Sequence, residues 1–247
     1  MKELDQHLDA HLAWAHDHSP SPLVLLERVF GDGALQLRQR RVERRIVASG
    51  LRVRKTLEAF DWAFQKNLNR AVIEGLATLD FIDHHEDLLI TGKSGTGKSH
   101  ILQALALRAC EREIQVRYTR CVDLVDDLYA GLADKTYDAR LRRWARAEWL
   151  VIDDVGLGQL RRRDDEPTAA HILFNLLDCR HEQAATAVTS NIKLGEWGKY
   201  LGDATLAAAI LDRLAATSIH IDIDGPSFRG HLAKQRAKDC GIIDDAG

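Results

Sequence analysis

The chain has 247 residues, a formal net charge of −3 and an apolar fraction of 45%. This length suits one core domain with a smaller appendage, and the apolar fraction is sufficient for a sizeable core. The net charge does not indicate a nucleic-acid-binding protein as a whole, so any basic surface has to be local. Four widely spaced cysteines form no Cys-x-x-Cys pair, which argues against a structural zinc site or a disulfide framework.

The N-terminus and the apolar runs bear on localisation. Met1–Ser19 is rich in charge and has no apolar core for a signal peptide. The longest apolar run, Leu206–Leu211, is far too short to span a membrane. We therefore expect a cytoplasmic protein with no membrane partner.

The first part of the chain predicts helices. Ser19–Pro22 ends a first helical stretch, and a second runs from about Leu23 to Val47 with an interruption at Gly31–Gly33. Its second half is rich in helix formers and in arginine.

From about Asp87, short apolar runs alternate with amphipathic stretches. The runs predict strands at Asp87–Thr91, Ile114–Tyr118, Trp149–Val155, Ala185–Ser190 and Ile219–Ile223. The stretches between them predict helices at Lys98–Arg112, Val122–Leu132, Thr168–His181 and Ala204–Ala215. This alternation predicts an α/β fold with a parallel sheet flanked by helices.

Gly92–Ser99 matches the phosphate-binding pattern G-x-x-x-x-G-K-[ST] in full, between a predicted strand and a predicted helix. The glycines let backbone N–H groups face phosphates, and the helix dipole favours the anion. Lys98 is expected to reach the β- and γ-phosphates of ATP, and Ser99 is expected to bind Mg²⁺. We assign the nucleotide contacts to the loop and the residue after it: Gly92, Ser94, Gly95, Thr96, Gly97, Lys98, Ser99 and His100.

Two carboxylates follow the apolar strand Trp149–Ile152. Ligands bind at the carboxyl ends of parallel strands, so the pair is expected beside the phosphate loop. Asp153 would hold Mg²⁺, and Asp154 would orient or deprotonate the attacking water. Paired acids after a strand are also common in polar turns, and the upstream loop is what favours the catalytic interpretation.

Two further candidates stay open from the residues alone. Asn191 follows a predicted strand and could reach the γ-phosphate or the attacking water from the side opposite Asp154, but Asn is also common in turns. Arg213 lies near the end of a predicted helix. It is either an arginine finger that enters the ATP site of the next subunit or a partner of Asp212 or a neighbouring acid.

Basic residues cluster locally in this acidic chain. From Arg28 to Lys55 there are nine basic residues and two acidic ones, a local charge of +7. Arginine-rich composition fits contact with phosphate backbones, although charge runs are also typical of solvated helix faces. A second cluster lies at 140–146, and a third, Arg161–Arg163, is followed by three acids. The predicted DNA contacts are Arg38, Arg41, Arg44, Arg45, Arg52, Arg54, Arg140 and Arg143.

On these residues the chain resembles the IstB-type transposition helper ATPases, in the AAA+ group that also holds the DnaC-type helicase loaders. The resemblance covers Lys55–Trp62 and Leu68–Arg70, continues through the phosphate loop, the carboxylate strand and Thr189–Asn191, and is most specific at Gly195–Leu214. It implies an AAA+ P-loop ATPase domain at residues 52–247 with a minimal lid. A small all-helical domain for DNA binding and assembly would precede it at residues 1–51.

The resemblance also implies roles for single residues. Asn191 matches the family's sensor-1 position, and Arg213 matches its arginine-finger position. Arg229 matches a nucleotide-sensing segment, although Phe228 stands where the family has Tyr. Members of this family assemble on duplex DNA when ATP-bound, present it to a transposase and couple disassembly to ATP hydrolysis. The implied partners are duplex DNA bound largely without sequence preference, a transposase, and further copies of the chain that share ATP sites.

One departure keeps alternatives open. Asp154 stands where AAA+ proteins commonly have Glu, and its shorter side chain implies a longer reach to the water and slow hydrolysis. A DnaC-like helicase loader would have the same ATPase core. A small-molecule kinase would share the loop but would need a substrate pocket and a lid with catalytic arginines. A nucleotide-gated DNA-binding switch with negligible hydrolysis is the third alternative, and Asp154 is the residue that supports it.

Overall fold

The computed structural model describes residues 4–160 and 167–239. Residue contacts divide the chain into two compact units, Met1–Arg45 and Ile46–Gly247. The predicted boundary after residue 51 and the DNA-binding role of the first unit stay predictions. Among the described residues, no helix combines the length and the apolar character needed to cross a membrane.

The first unit is helical. Helix α1 spans Leu4–His18, and helix α2 spans Pro22–Ser49, extending past the end of the unit. Pro22 suits the first turn of a helix because its missing N–H would have no partner there. Within the unit, His11 lies 3.4 Å from the carboxylate of Asp32.

The predicted interruption of the second helix is wrong, since α2 runs without a break through Gly31 and Gly33. Glycine costs a helix only about 1 kcal/mol per residue relative to alanine. The strong helix formers that follow, from Leu35 to Ile46, are enough to carry the helix across both positions.

A five-stranded sheet organises the second unit. Its strands are β1 (Asp87–Gly92), β2 (Val116–Arg120), β3 (Trp149–Val155), β4 (Ala185–Ser190) and β5 (Ser218–Ile223). All neighbouring strands are parallel, in the order β2-β3-β4-β1-β5. Strands β1 and β4 are buried along almost their whole length, as expected for central parallel strands covered on both faces. The predicted α/β fold with a parallel sheet is confirmed.

Nine helices of this unit are described: α3 (Arg70–Leu76), α4 (Asp80–Asp83), α5 (Lys98–Glu111), α6 (Cys121–Ala133), α7 (Tyr137–Ala145), α8 (Ala169–Arg180), α9 (Trp197–Leu201), α10 (Ala204–Thr217) and α11 (Phe228–Asp239). The predicted helices agree with α5, α6, α8 and α10 to within two residues at each end. Helices α3, α4, α7, α9 and α11 were not predicted, and most of them are too short for a clear helical period.

Strand β2 begins two residues later than predicted, at Val116 rather than Ile114. The end of α5 takes up the intervening residues. Glu113 adopts a left-handed backbone with φ 63°, and the Ile114 N–H donates to the Ala109 carbonyl at 3.0 Å. Glu113 and Ile114 therefore terminate the helix, and contact with β3 begins only at Gln115, whose carbonyl accepts from the Trp149 N–H at 3.2 Å.

The topology places polar loop residues at one edge of the sheet. Because all five strands are parallel, their carboxyl ends lie on the same side. Strand β4 lies between β1 and β3, so the loop after β1 and the carboxylates at the end of β3 flank the end of β4. The fold therefore brings three sequence-distant segments to one place.

Candidate functional site

The phosphate loop joins β1 to α5, and its glycines are required both by conformation and by space. Gly92, Gly95 and Gly97 have φ angles of 141°, 84° and 102°, a region that side chains disfavour. A Cβ on Gly92 would lie 2.4 Å from the Ile223 carbonyl oxygen, and one on Gly97 would lie 2.6 Å from the Phe60 ring. The loop can take this path only with glycine at these positions.

Lys98 opens helix α5 and is almost completely buried, with 3% of its surface exposed. Its Nζ donates to the carbonyl oxygens of Gly92 and Lys93, each at 2.7 Å. Burial lowers the pKa of the Lys98 ammonium below its ordinary value, and the charges of Asp154 and Asp153 oppose that shift. The ammonium therefore lies inside the curl of the loop, where a phosphate group would gain most from a positive charge.

Asp153, at 3% exposure, is the centre of a hydrogen-bond network. Its Oδ1 accepts from the Ser99 hydroxyl at 3.0 Å, from the Asp154 backbone N–H at 3.0 Å and from the Thr189 hydroxyl. Its Oδ2 accepts from the Tyr118 hydroxyl. These donors stabilise the charged carboxylate and fix its orientation beside Ser99.

An irregularity in β3 directs its two carboxylates. Consecutive residues of a regular strand point to opposite faces of the sheet. The pairing of β3 with β4 shifts register between Ile152 and Val155, and Asp154 has a left-handed backbone with φ 62°. A bulge of this kind re-aims side chains, so Asp153 reaches Ser99 while Asp154 lines the neighbouring cavity.

Asn191 lies beside Asp154, a contact that the sequence did not predict, and its reach to the γ-phosphate or the attacking water stays a prediction. The Asn191 Nδ2 donates to the Asp154 Oδ1 at 3.0 Å, and its backbone N–H donates to the Val155 carbonyl at 2.9 Å. The reason is the strand order, because β3 and β4 are neighbours and their ends lie side by side. The amide is therefore placed to orient the carboxylate.

A cavity of about 340 Å³ adjoins these residues. This volume is within the range of small-molecule and cofactor sites. Its lining is of two kinds. The polar part comes from the loop at 95–99, with His100, Gln103, Asp154, Asn191 and Arg229, whereas Phe60, Phe64 and Phe228 supply aromatic surface. The cations and amides of such a lining suit phosphate groups, and its aromatic rings suit a nucleobase.

The segment before α11 closes one side of the cavity. The Phe228 N–H donates to the Gly95 carbonyl at 2.9 Å, and the Gln65 side chain donates to the Pro226 carbonyl at 2.9 Å. Arg229 lines the cavity, and its charge contributes to the lowered pKa of Lys98. Its predicted nucleotide-sensing role stays a prediction.

His100 also lines the cavity. Its Nε2 lies 2.8 Å from the Thr56 carbonyl, and its ring meets the Phe60 ring edge-on at 5.2 Å. Burial lowers the pKa of His100 below its ordinary value. The side chain thus ties the phosphate loop to the preceding segment, and its contact with nucleotide stays a prediction.

Arg213 is held within its own chain. Its guanidinium lies 2.8 Å from the Asp178 carboxylate and stacks over the Phe174 ring at 4.1 Å. It is not among the residues that line the cavity. The ion pair agrees with the alternative in which Arg213 is the partner of a neighbouring acid. Its insertion into a neighbouring subunit's site stays a prediction.

The arginines predicted to bind DNA differ in their surroundings. Arg38, Arg41 and Arg44 are exposed on α2, Arg45 is half-buried there, and Arg54 is exposed in the following segment. Other predicted contacts have acidic partners, namely Arg52 with Asp123, Arg140 with Asp127 and Asp134, and Arg143 with Asp127. The third cluster, Arg161–Arg163, lies outside the described residues.

The sequence reasoning missed Tyr118, Thr189 and the aromatic residues of the cavity. Thr189 could have been found from the sequence, since it lies near the carboxyl end of β4, two positions before Asn191. Tyr118 lies on β2, which pairs with β3. A search for polar side chains near the carboxyl ends of both neighbours of β3 would have found both residues.

The chain is similar to known ATP-binding proteins. A family model described as IstB-like ATP binding protein matches residues 1–237. The chain is 32% identical over 229 residues to an insertion sequence IS5376 putative ATP-binding protein of Geobacillus stearothermophilus, covering 92% of this chain and 89% of the relative. It is 34% identical over 191 residues to an insertion sequence IS21 putative ATP-binding protein of Pseudomonas aeruginosa, covering 77% and 70%.

Two solved structures show the same fold. AMPPCP-bound DnaA from Aquifex aeolicus matches with a TM-score of 0.56 and 20% identity, over 77% of this chain but only 56% of that one. DnaI matches with a TM-score of 0.51 and 22% identity, over 72% of this chain and 90% of that one. These likenesses agree with the parallel α/β fold described above.

Proposed function

The chain belongs to the family of IstB-like ATP binding proteins, and on that premise we propose that it is the ATP-hydrolysing helper of an insertion-sequence transposition system. The observation that best supports this proposal is that five residues meet at one edge of the sheet: Lys98, Ser99, Asp153, Asp154 and Asn191. The names of its relatives connect the family to insertion sequences.

The residues at the edge of the sheet fit ATP with Mg²⁺. Ser99 and Asp153 offer a hydroxyl and a carboxylate, the hard oxygen donors that Mg²⁺ prefers, and they already lie 3.0 Å apart. The metal, when bound, neutralises charge on the phosphate oxygens. Lys98 binds the β- and γ-phosphates from inside the loop, and the aromatic part of the cavity receives the base.

Asp154 would orient the attacking water and accept its proton, while Asn191 holds the carboxylate. The shorter side chain of Asp, compared with Glu, leaves a longer reach to the water. The bulge and the left-handed backbone at Asp154 turn the carboxylate toward the cavity and offset part of this difference. We expect slow turnover that duplex DNA stimulates.

In this proposal, a second copy of the chain completes the ATP site by supplying Arg213. Arg213 would leave Asp178 and enter the ATP site of the next subunit, where its charge stabilises the transition state. Because the Arg213–Asp178 pair is partly exposed, breaking this ion pair costs little by itself, and the move also gives up the stacking over Phe174. ATP would then promote assembly, and hydrolysis would promote disassembly.

DNA contact is proposed for the exposed arginines of α2 and for Arg52 and Arg54. These residues lie in the stretch with a local charge of +7. Arg140 and Arg143 are less suited, because ion pairs of 2.6–2.7 Å with Asp127 and Asp134 hold them, whereas the more exposed Arg52 lies 3.4 Å from Asp123. Phosphate contacts position a protein without reading sequence, so binding to target DNA would be largely sequence-independent. The cytoplasm is where such a complex would meet its DNA and its transposase.

ATP turnover measured with and without duplex DNA tests the proposal. The wild-type protein should hydrolyse ATP in a Mg²⁺-dependent, DNA-stimulated reaction, and Lys98→Ala should not. Stimulation by a small metabolite and indifference to DNA would instead support a kinase. Pull-down with the transposase and with the replicative helicase separates the helper from a helicase loader.

A further inference from the structure

The hydroxyl of Tyr118 joins the metal carboxylate to the nucleotide cavity. We propose that Tyr118 is a positioning residue, which orients the Asp153 carboxylate for the Mg²⁺ that accompanies ATP. The inference rests on the proposed function, because it presumes that Asp153 holds the metal. Tyr118 itself is not among the residues that line the cavity, so it would act through Asp153.

The two oxygens of Asp153 are held differently. Oδ1 accepts from Ser99, from Thr189 and from the Asp154 backbone. Among the residues that the structure describes, Tyr118 alone donates to Oδ2. Removing this donor therefore frees Oδ2, while the contacts of Oδ1 persist.

Strand pairing explains how Tyr118 reaches Asp153. Strands β2 and β3 run parallel, with Tyr118 opposite Val151 and Arg120 opposite Asp153. Tyr118 is therefore two residues short of the level of Asp153, and the long phenol side chain spans that distance to reach the carboxylate. A shorter polar side chain at this position would not make the contact.

Gln103 fixes the direction of the phenol proton. The Gln103 amide donates to the Tyr118 hydroxyl oxygen at 3.3 Å, so that oxygen acts as the acceptor there and its proton points to Asp153. Because Gln103 lines the cavity, the chain of contacts runs from the cavity through Tyr118 to Asp153.

Partners that orient a metal ligand typically contribute about 10–100-fold to metal affinity or activity. We therefore expect Tyr118→Phe, which removes one hydroxyl and keeps the ring, to raise the Mg²⁺ concentration for half-maximal effect about 10-fold. Nucleotide binding in EDTA should be unchanged. Tyr129→Phe is the matched control, since Tyr129 is a buried tyrosine whose hydroxyl donates to the Pro167 carbonyl at 2.6 Å, outside the site.

The test is a titration of full-length protein and a fluorescent ATP analogue with Mg²⁺, together with binding in EDTA. The inference is supported if Tyr118→Phe needs more Mg²⁺ while Tyr129→Phe matches the wild type. It is overturned if Tyr118→Phe keeps the wild-type Mg²⁺ dependence, or if it loses affinity equally with and without the metal. A wild type without any Mg²⁺ effect would instead contradict the proposed function.

A second variant keeps the test decisive if Tyr118→Phe does not fold. Gln103→Met removes the donor that directs the phenol proton and leaves Tyr118 in place. For this variant, the ratio of nucleotide affinity with Mg²⁺ to nucleotide affinity in EDTA should fall below the wild-type ratio. The decrease should be smaller than that expected for Tyr118→Phe. An unchanged ratio would overturn the inference.

Discussion

Replacing Asn191 with Ala removes the amide that donates to the Asp154 Oδ1 at 3.0 Å. A hydrogen bond to a charged group contributes about 1.5–3 kcal/mol. Since the proposed role of this bond is to hold Asp154 in place during hydrolysis, losing about 2 kcal/mol in the transition state slows the reaction about 30-fold. ATP affinity should change by less than about twofold, because the loss falls mainly on the transition state.

A double-mutant cycle separates action through Asp154 from direct action on the phosphate. In an Asp154→Ala background, Asn191→Ala should change the single-turnover rate by less than about twofold, because residues that act as a unit are not additive. The same 30-fold loss in both backgrounds would refute the reasoning. Asn175→Ala, which removes an exposed amide bonded to Tyr137 at 3.4 Å, should leave the rate unchanged.

Two further predictions concern the loop and the shared site. Gly97→Ala should lower the free energy of unfolding by about 1–2 kcal/mol in urea titrations, because a side chain disfavours the left-handed φ of 102° and its Cβ would collide with the Phe60 ring. As the control, Gly75→Ala in α3 should not lower it, since a Cβ there meets no atom within 4 Å. Arg213→Ala and Lys98→Ala should each be inactive alone but regain ATPase activity when mixed, since mixed oligomers contain sites with an intact loop and an intact arginine. Mixtures that stay inactive would argue against a shared site.

The sequence was sufficient for those parts of the fold that depend on local pattern. The alternation of apolar runs predicted the parallel sheet, and the match at Gly92–Ser99 placed the loop between β1 and α5. Gly31 and Gly33 predict an interruption of α2 when each residue's helix propensity is taken alone. Its continuity depends on the helix formers on both sides of the glycines.

The candidate site was less accessible, because its geometry depends on strand pairing and on one irregular backbone. Tyr118 and Asp153 are 35 residues apart, and only the pairing of β2 with β3 brings them together. The sequence does not predict the bulge at Asp154, because the residue type alone does not indicate that this Asp adopts a left-handed backbone. The contact between Asn191 and Asp154 was therefore not predicted.

ATP-dependent assembly on duplex DNA, followed by light scattering over time, tests the central claim most directly. Wild-type protein should assemble when ATP is added and should disassemble as ATP is consumed. Asp154→Asn should bind ATP and assemble but then persist, because the assigned water-orienting carboxylate is gone. Scattering that does not depend on nucleotide, or an Asp154→Asn assembly that decays at the wild-type rate, would contradict the account.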